Sequence, residues 1–132
     1  MTDSTSIKIE YLRSLGSMEV SHSGESLFDH LFGVQKNLRD MGAPEYLQDA
    51  GLFHSVYGTA IFKHQSTTDR DKVRELIGEQ AEEVVFTFGS IPKPRQKNIL
   101  AMKPSQLRHD LLTLNLANQD QMDDRRLKKF DV

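Results

Sequence analysis

Two neighbouring segments carry the clearest structural pattern of the chain: SHSGESLFDHLFGVQKNLRDM at residues 21–41 and AGLFHSVYGT at residues 50–59. The first stretch repeats apolar residues at helical spacing, at Leu27, Leu31, Val34, Leu38 and Met41. This pattern predicts an amphipathic helix over residues 26–41 that Gly42 terminates. Pro44 can then open a third helix at its first turn, and we expect that helix to run to residue 62.

Two histidines lie within these helical patterns. At about 100° per residue, His30 falls on the edge of the first stripe. His54 falls near the centre of the inward face of the third helix, with Gly51 and Gly58 one turn before and after it. Glycines cost a helix about 1 kcal/mol each relative to alanine, so the pair indicates a need for space around His54. A ligand or close helix packing would each account for that need.

The rest of the chain predicts further helices. One covers residues 7–15, and another begins near residue 69 and is either interrupted at Gly78 or split there into two. The acidic residues at 79, 82 and 83 are expected on a solvated helix face. Pro92 and Pro94 exclude a regular helix over residues 89–94. A fifth helix is expected from residue 104 or 105, with Asn118 inside its apolar stripe.

These patterns predict an all-α, single-domain helical bundle of about five to six helices over residues 1–122, followed by a charged tail over residues 123–132. The basic residues at 93, 95 and 97 are expected to form a solvated face, with a phosphate contact as the alternative reading.

Composition excludes several classes of function. The chain has 132 residues, no cysteine and a formal charge of −2. Disulfides, thiolate zinc sites and cysteine nucleophiles are therefore excluded, and the charge gives no reason to expect a nucleic-acid partner. No apolar run approaches the ~20 residues that span a bilayer, and the first residues lack signal-peptide features. We expect a cytoplasmic protein without a membrane partner.

The inward polar residues are the candidate site. His30, His54 and Asn118 come from three different helices, and a buried polar group needs a partner. Two imidazoles with oxygen ligands suit a divalent transition metal such as Mn, Fe or Zn. His22, just before the second helix, is a candidate third ligand or general base. A hydrogen-bonded polar core without metal is the alternative. Candidate pocket residues beside the histidines are Ser55, Tyr57, Thr59, Glu25 and Asp29.

Three segments together resemble the HD-domain superfamily of helical metal-dependent phosphohydrolases, in a layout similar to the stringent-response alarmone hydrolases. In that branch a Ser-Gly-Glu stretch leads to a helical histidine, as residues 23–25 lead to His30 here. An Ala-x-Leu-Leu-His-Asp element follows, and residues 50–55 read AGLFHS. A late helix supplies Ala-Asp, for which residues 117–118 are the counterpart. The string HSG…DHL…AGLFHSxYGT also resembles a small uncharacterised HD-like family.

The sequence departs from the HD pattern at its carboxylates. Ser55 stands where the aspartate follows the second histidine, Asn118 stands at the last ligand, and residues 56–59 lack the acidic pair. Glu25, Asp29 and Asp110 are candidates to restore the charge. The resemblance implies a His-lined pocket, with or without metal, that binds or processes a small molecule. An enzyme of this type would be a metal-dependent hydrolase or oxygenase, although alarmone hydrolysis is not expected. The alternatives are an inactive HD-like binding or protein-interaction module and purely structural polar ties.

Overall fold

The computed structural model describes residues 4–15, 21–22, 25–58 and 67–130, with side chains at 5–15, 27–58 and 67–121. These residues form one helical domain, which confirms the predicted all-α class. Within them the chain forms seven helices and one pair of two-residue strands: α1 (Ser4–Ser14), β1 (Ser21–His22), β2 (Glu25–Ser26), α2 (Leu27–Asp40), α3 (Glu45–Phe53), α4 (Arg70–Ile77), α5 (Glu79–Ser90), α6 (Arg95–Leu100) and α7 (Gln106–Phe130).

Helix α2 lies at the centre of the domain and packs against both α3 and α7. Four of the five residues in its predicted stripe are at most 1% exposed, whereas Met41, beyond the last turn, is 43% exposed. Burial of each such leucine contributes about 1.5–3 kcal/mol. The α2–α3 contact is close at Gly51, where an added Cβ would lie 2.5 Å from Cδ1 of Leu38. Helix packing therefore accounts for the first of the two glycines beside His54.

Helix α3 ends at Phe53, so the predicted continuation to residue 62 is wrong. His54 keeps helical angles as the C-cap, and the chain then turns through residues 54–57. Gly58 has a φ of 82°, a conformation that favours glycine. Its carbonyl oxygen would lie 2.7 Å from a Cβ at Gly89 on α5. The second glycine therefore serves the turn and the close approach of that turn to α5.

A buried ion pair joins α1 to α3. Nζ of Lys8 donates to Oδ2 of Asp49 at 3.0 Å, and both side chains are about nine-tenths buried. Burial raises the pKa of the Asp49 carboxyl, and the Lys8 ammonium only partly offsets that rise. The pair fixes the position of the first helix on the core.

Gly78 separates α4 from α5 with a φ of 88°, which decides between the two sequence-based alternatives in favour of two helices. The side chain of Asp69 caps α4 by accepting a hydrogen bond from the backbone N–H of Lys72. Both helices bury a short apolar stripe, and α5 also packs against α3 and α7.

The C-terminal half contains one helix that the sequence analysis did not predict. Helix α6 begins at Arg95, directly after Pro94, where the prolines allow a helix to start. Helix α7 begins within two residues of its predicted start and continues to Phe130. The predicted boundary between residues 122 and 123 therefore falls inside a helix. None of the described helices is both long and apolar enough to cross a membrane.

Candidate functional site

His30 and His54 meet inside the domain. Their ring centroids are 5.3 Å apart in an edge-to-face arrangement, and the residues are 1% and 4% exposed. Helix α2 supplies His30 from its buried stripe, and the end of α3 supplies His54. The α2–α3 contact, made close by Gly51, brings the two rings together.

The His54 ring is fixed by its own helix and by α5. Its Nδ1 hydrogen-bonds the carbonyl oxygen of Gly51 at 2.8 Å. Its ring packs edge-to-face on Phe88, with centroids 5.5 Å apart and planes at 88°. Because a carbonyl oxygen can only accept, Nδ1 carries the proton and the lone pair of the neutral ring is on Nε2.

The His30 ring is fixed by α7. Its Nδ1 hydrogen-bonds Oε1 of Gln121. Gly33 makes room for this contact, because a Cβ there would lie 2.8 Å from Cγ of Gln121. Gln121 was not among the predicted site residues, although it lies one turn after Asn118 and so on the same helix face. An amide oxygen accepts the proton on Nδ1, which again leaves the lone pair on Nε2.

Two further predicted residues place unsatisfied polar atoms in the core. Ser55 and Asn118 are 2% and 6% exposed. Among the described residues, Oγ of Ser55 and Oδ1 of Asn118 have no hydrogen-bond partner. Ser55 directly follows His54, and Asn118 precedes Gln121 by one turn. Buried polar atoms of this kind require a partner such as water or a ligand atom.

The remaining predicted pocket residues lie elsewhere or outside the described part. Tyr57 was predicted to face the pocket, but its hydroxyl donates to Glu82 at 2.9 Å. Asp29 is exposed on the first turn of α2. His22 and Glu25 pair through their backbones in the short β1–β2 ladder beside α2, and their side chains lie outside the described set. Thr59 also lies outside the described residues.

Asp110, the third candidate to restore negative charge, is engaged at the other end of α7. Its carboxylate accepts from the Tyr46 hydroxyl at 2.7 Å and from the Gln106 amide at 2.8 Å. At 1.5 Å per residue it lies roughly 16 Å along the helix from Gln121. Burial, followed by the Asp110 contact, raises the pKa of Tyr46 to about 12. In the described part of the chain, no three His, Asp or Glu residues form a group that could hold a metal ion.

Arg95 is a buried cation that the sequence analysis placed on a solvated face. It is 7% exposed, and its guanidinium carbon lies 4.2 Å from the ring centroid of Phe88. Its Nε has no hydrogen-bond partner among the described residues. Burial lowers the pKa of Arg95. Its neighbours Lys93 and Lys97 are exposed as predicted.

Glu82 is the corresponding buried anion, and the prediction of a solvated face is wrong for it. It is 1% exposed. Arg70 donates to both of its oxygens at 2.9 and 2.8 Å, and Arg74 lies 3.5 Å away. Burial alone would raise the pKa of Glu82, but the hydrogen bonds from Arg70 and Tyr57 and the nearby charges lower it overall. The signal was its place among Ala81, Val85 and Phe88 on the inward face of α5.

Comparison with known proteins gives a family without an assigned activity. Residues 11–93 match the family described as Domain of unknown function (DUF6817). No curated protein and no solved structure matches the chain. The matched segment contains His22, His30, His54 and Ser55, whereas α6 and α7 lie beyond it. It spans more than half of the 132 residues, and the chain therefore belongs to the DUF6817 family.

Proposed function

We propose that this chain is an HD-like helical domain that binds a small molecule at the His30–His54 pair, with a divalent transition metal ion held by these two residues and His22. The observation that carries the proposal is that both imidazole rings make a hydrogen bond through Nδ1. Each Nδ1 hydrogen-bonds an oxygen, of Gln121 or of Gly51, so in the neutral form of each ring the lone pair is on Nε2. A second hydrogen bond that fixes the tautomer is the usual environment of a metal-binding histidine.

The neutral character of the neighbouring groups bears on the choice of metal. Ser55 and Asn118 offer oxygen atoms without charge, and the described carboxylates at positions 49, 82 and 110 contact other partners. Imidazole-rich sites favour Zn or Fe over Mg or Ca, which prefer oxygen ligands, and they favour Mn, the third candidate, less strongly. A bound metal would supply Lewis acidity or an activated water molecule. His22 would add a third imidazole from the segment that leads into α2.

Metal content tests this proposal directly. Protein purified without chelator and supplied with Mn, Fe and Zn should contain about one equivalent of one of them, because three imidazoles suffice for a transition-metal site. His30→Ala and His54→Ala should each contain less than about a tenth of that amount. His109→Ala is the matched control, since His109 is exposed on α7.

Wild-type protein with less than about a tenth of an equivalent under these conditions would contradict the metal site. Circular dichroism at 222 nm establishes that each variant is folded. The ¹⁵N shift of Nε2 in wild-type protein gives a second readout that needs no substitution, because metal binding to that atom moves it strongly.

A second candidate is an HD-like module that binds a ligand or partner without catalysis. The observation that favours it is the absence of charge at Ser55 and Asn118, the positions where HD enzymes carry aspartates. In this case metal-free protein should gain thermal stability from ligands in a screen, and His54→Ala should abolish the gain. Ligand responses that appear only after metal is added contradict the module and favour the metal site. Both candidates include a cytoplasmic location and no nucleic-acid partner, and the charge of −2 supports the second of these points.

A further inference from the structure

The Phe88 ring connects the histidine pair to Arg95. The edge-to-face contact with His54 is at 5.5 Å, and the guanidinium of Arg95 lies 4.2 Å from the centre of the same ring. Because both distances are measured to the centre of the Phe88 ring, the distance from the guanidinium carbon to the centre of the His54 ring cannot exceed their sum. One aromatic side chain thus separates a buried cation from the candidate site.

Arg95 lacks the partner that a buried cation requires. It is 7% exposed, yet no described carboxylate pairs with it and its Nε is unsatisfied. Glu82, the buried carboxylate of the same helix as Phe88, is already engaged by Arg70 and Arg74. A contact with an aromatic face offsets only part of the desolvation of a guanidinium. The arrangement is costly unless an anion completes it.

The position of Arg95 is set by the packing of α6 on α7. The next residue, Gln96, accepts a hydrogen bond from Nδ2 of Asn115 at 2.8 Å. Ile99, one turn later, is fully buried. Helix α6 is therefore held at both ends of its first turn, and the guanidinium is oriented before any ligand arrives, which lowers the entropic cost of binding.

We propose that Arg95 binds the oxyanion group, a carboxylate or a phosphate, of the ligand that occupies the His30–His54 site. The planar guanidinium can donate two parallel hydrogen bonds to either group, a geometry that a lysine ammonium does not reproduce. The location of this subsite rests on the proposed function, whereas the affinity of Arg95 for an oxyanion does not.

The test is a titration of ¹⁵N-labelled wild-type protein with inorganic phosphate and, in a separate arm, with acetate. Sodium chloride holds the ionic strength constant, and the Arg95 Nε–H resonance, assigned from its loss in Arg95→Lys, is followed. We expect a saturable shift in at least one arm, together with a shift of the His54 ring resonances. Saturation in the phosphate arm alone indicates that the ligand carries a phosphate, and saturation in the acetate arm alone indicates a carboxylate. Saturation in both arms indicates a subsite for oxyanions in general.

Two variants complete the test. Lys97→Gln should keep the wild-type half-saturating concentration because Lys97 is exposed. Arg95→Lys should raise that concentration, read from the His54 ring, by about tenfold or more because the two-point contact is lost. The absence of saturation in both arms, or equal shifts at Arg95 and the exposed Arg13, would overturn the proposal. If the Arg95 resonance shifts saturably but the protein binds no metal, the metal site alone is contradicted. If the protein binds metal but the Arg95 resonance does not respond, the oxyanion subsite alone is contradicted.

Discussion

Glu82 and Arg95 are both buried charges, and their surroundings differ. Glu82 is enclosed by two arginines and a tyrosine hydroxyl, all supplied by the protein itself. Arg95 has the face of Phe88 and no described counter-charge. The first arrangement is complete and ties α4 to α5 and to the turn after His54. The second is incomplete, which is why we assign stability to the Glu82 cluster and ligand binding to the region around Phe88.

Glu82→Gln should give the largest effect on stability. The change removes the carboxylate that both arginines contact. Breaking a fully buried ion pair typically costs about 3–5 kcal/mol, and we expect a loss of about 2–3 kcal/mol because the Arg70 and Arg74 side chains are 39% and 36% exposed. Urea unfolding followed by circular dichroism at pH 7 measures the loss. Glu83→Gln is the matched control, because Glu83 is the exposed neighbour on the same helix. Equal losses of stability in the two variants would mean that the buried ion pairs of Glu82 do not stabilise the fold, which would remove the contrast with Arg95.

Gly89→Ala should give a smaller loss of stability, in the part of the domain where α5 meets the turn after His54. The added methyl group meets the Gly58 carbonyl oxygen at 2.7 Å, and this backbone atom cannot rotate away. We expect a net loss of about 1–2 kcal/mol in the free energy of unfolding, after the gain in helix propensity. Gln80→Ala, an exposed change in α5, is the control. Unchanged stability in Gly89→Ala would mean that the turn after His54 is not held against α5.

Acid should remove the contribution of Glu82. Its pKa in the folded state is below the unfolded value of about 4.3, so its contribution is fully present above that pH and is lost as the pH falls through the folded pKa. The difference in unfolding free energy between wild type and Glu82→Gln should therefore shrink as the pH is lowered from 5 to 3. Urea titrations across that range measure it. A constant difference would show that the carboxylate's charge does not stabilise the fold.

Arg95→Leu should give the smallest effect, although Arg95 is nearly as buried as Glu82. The variant loses a cation–π contact and also loses the desolvation cost of an unpaired charge, so we expect a change of less than about 1 kcal/mol in either direction. The measurement is the same urea titration in buffer without phosphate or carboxylates. A loss as large as that of Glu82→Gln would indicate that Arg95 is satisfied within the protein, which would remove the reason for an anion.

The sequence predicted those parts of the fold where periodicity alone decides the structure. The leucines of α2 recur without interruption, and the helix and its buried face were predicted to within a residue or so. His30, His54 and Asn118 were predicted to point inward for the same reason, and they are buried. The end of α3 was not predictable in this way, because Val56 and Tyr57 continue the apolar pattern. The chain turns there through Gly58 and its approach to Gly89, a contact between segments 31 residues apart in sequence.

The buried charges show a second limit. Glu82 and Arg95 carry charges that sequence reasoning assigns to solvent. Each is buried against another helix: Glu82 against Arg70 of α4, and Arg95 against Phe88 of α5 through the packing of α6 on α7. Gln121 was missed for a related reason, since its contact with His30 joins residues 91 positions apart. Local patterns identify which helix face is inward, but they do not identify which polar atoms meet there.

The contacts of Phe88 also have a thermodynamic consequence. The Phe88 ring packs perpendicular to the His54 ring and carries the Arg95 guanidinium on its face, so a ligand that moves either neighbour changes the packing of the other. Binding at the histidines and binding at Arg95 are then thermodynamically coupled. A ligand at the histidines changes the affinity of Arg95 for an anion by some factor, and the anion must change the affinity of the histidines by the same factor. Replacing Phe88 with leucine should reduce that factor toward one, so the ring is the place where cooperativity between the two ends of the site can be measured.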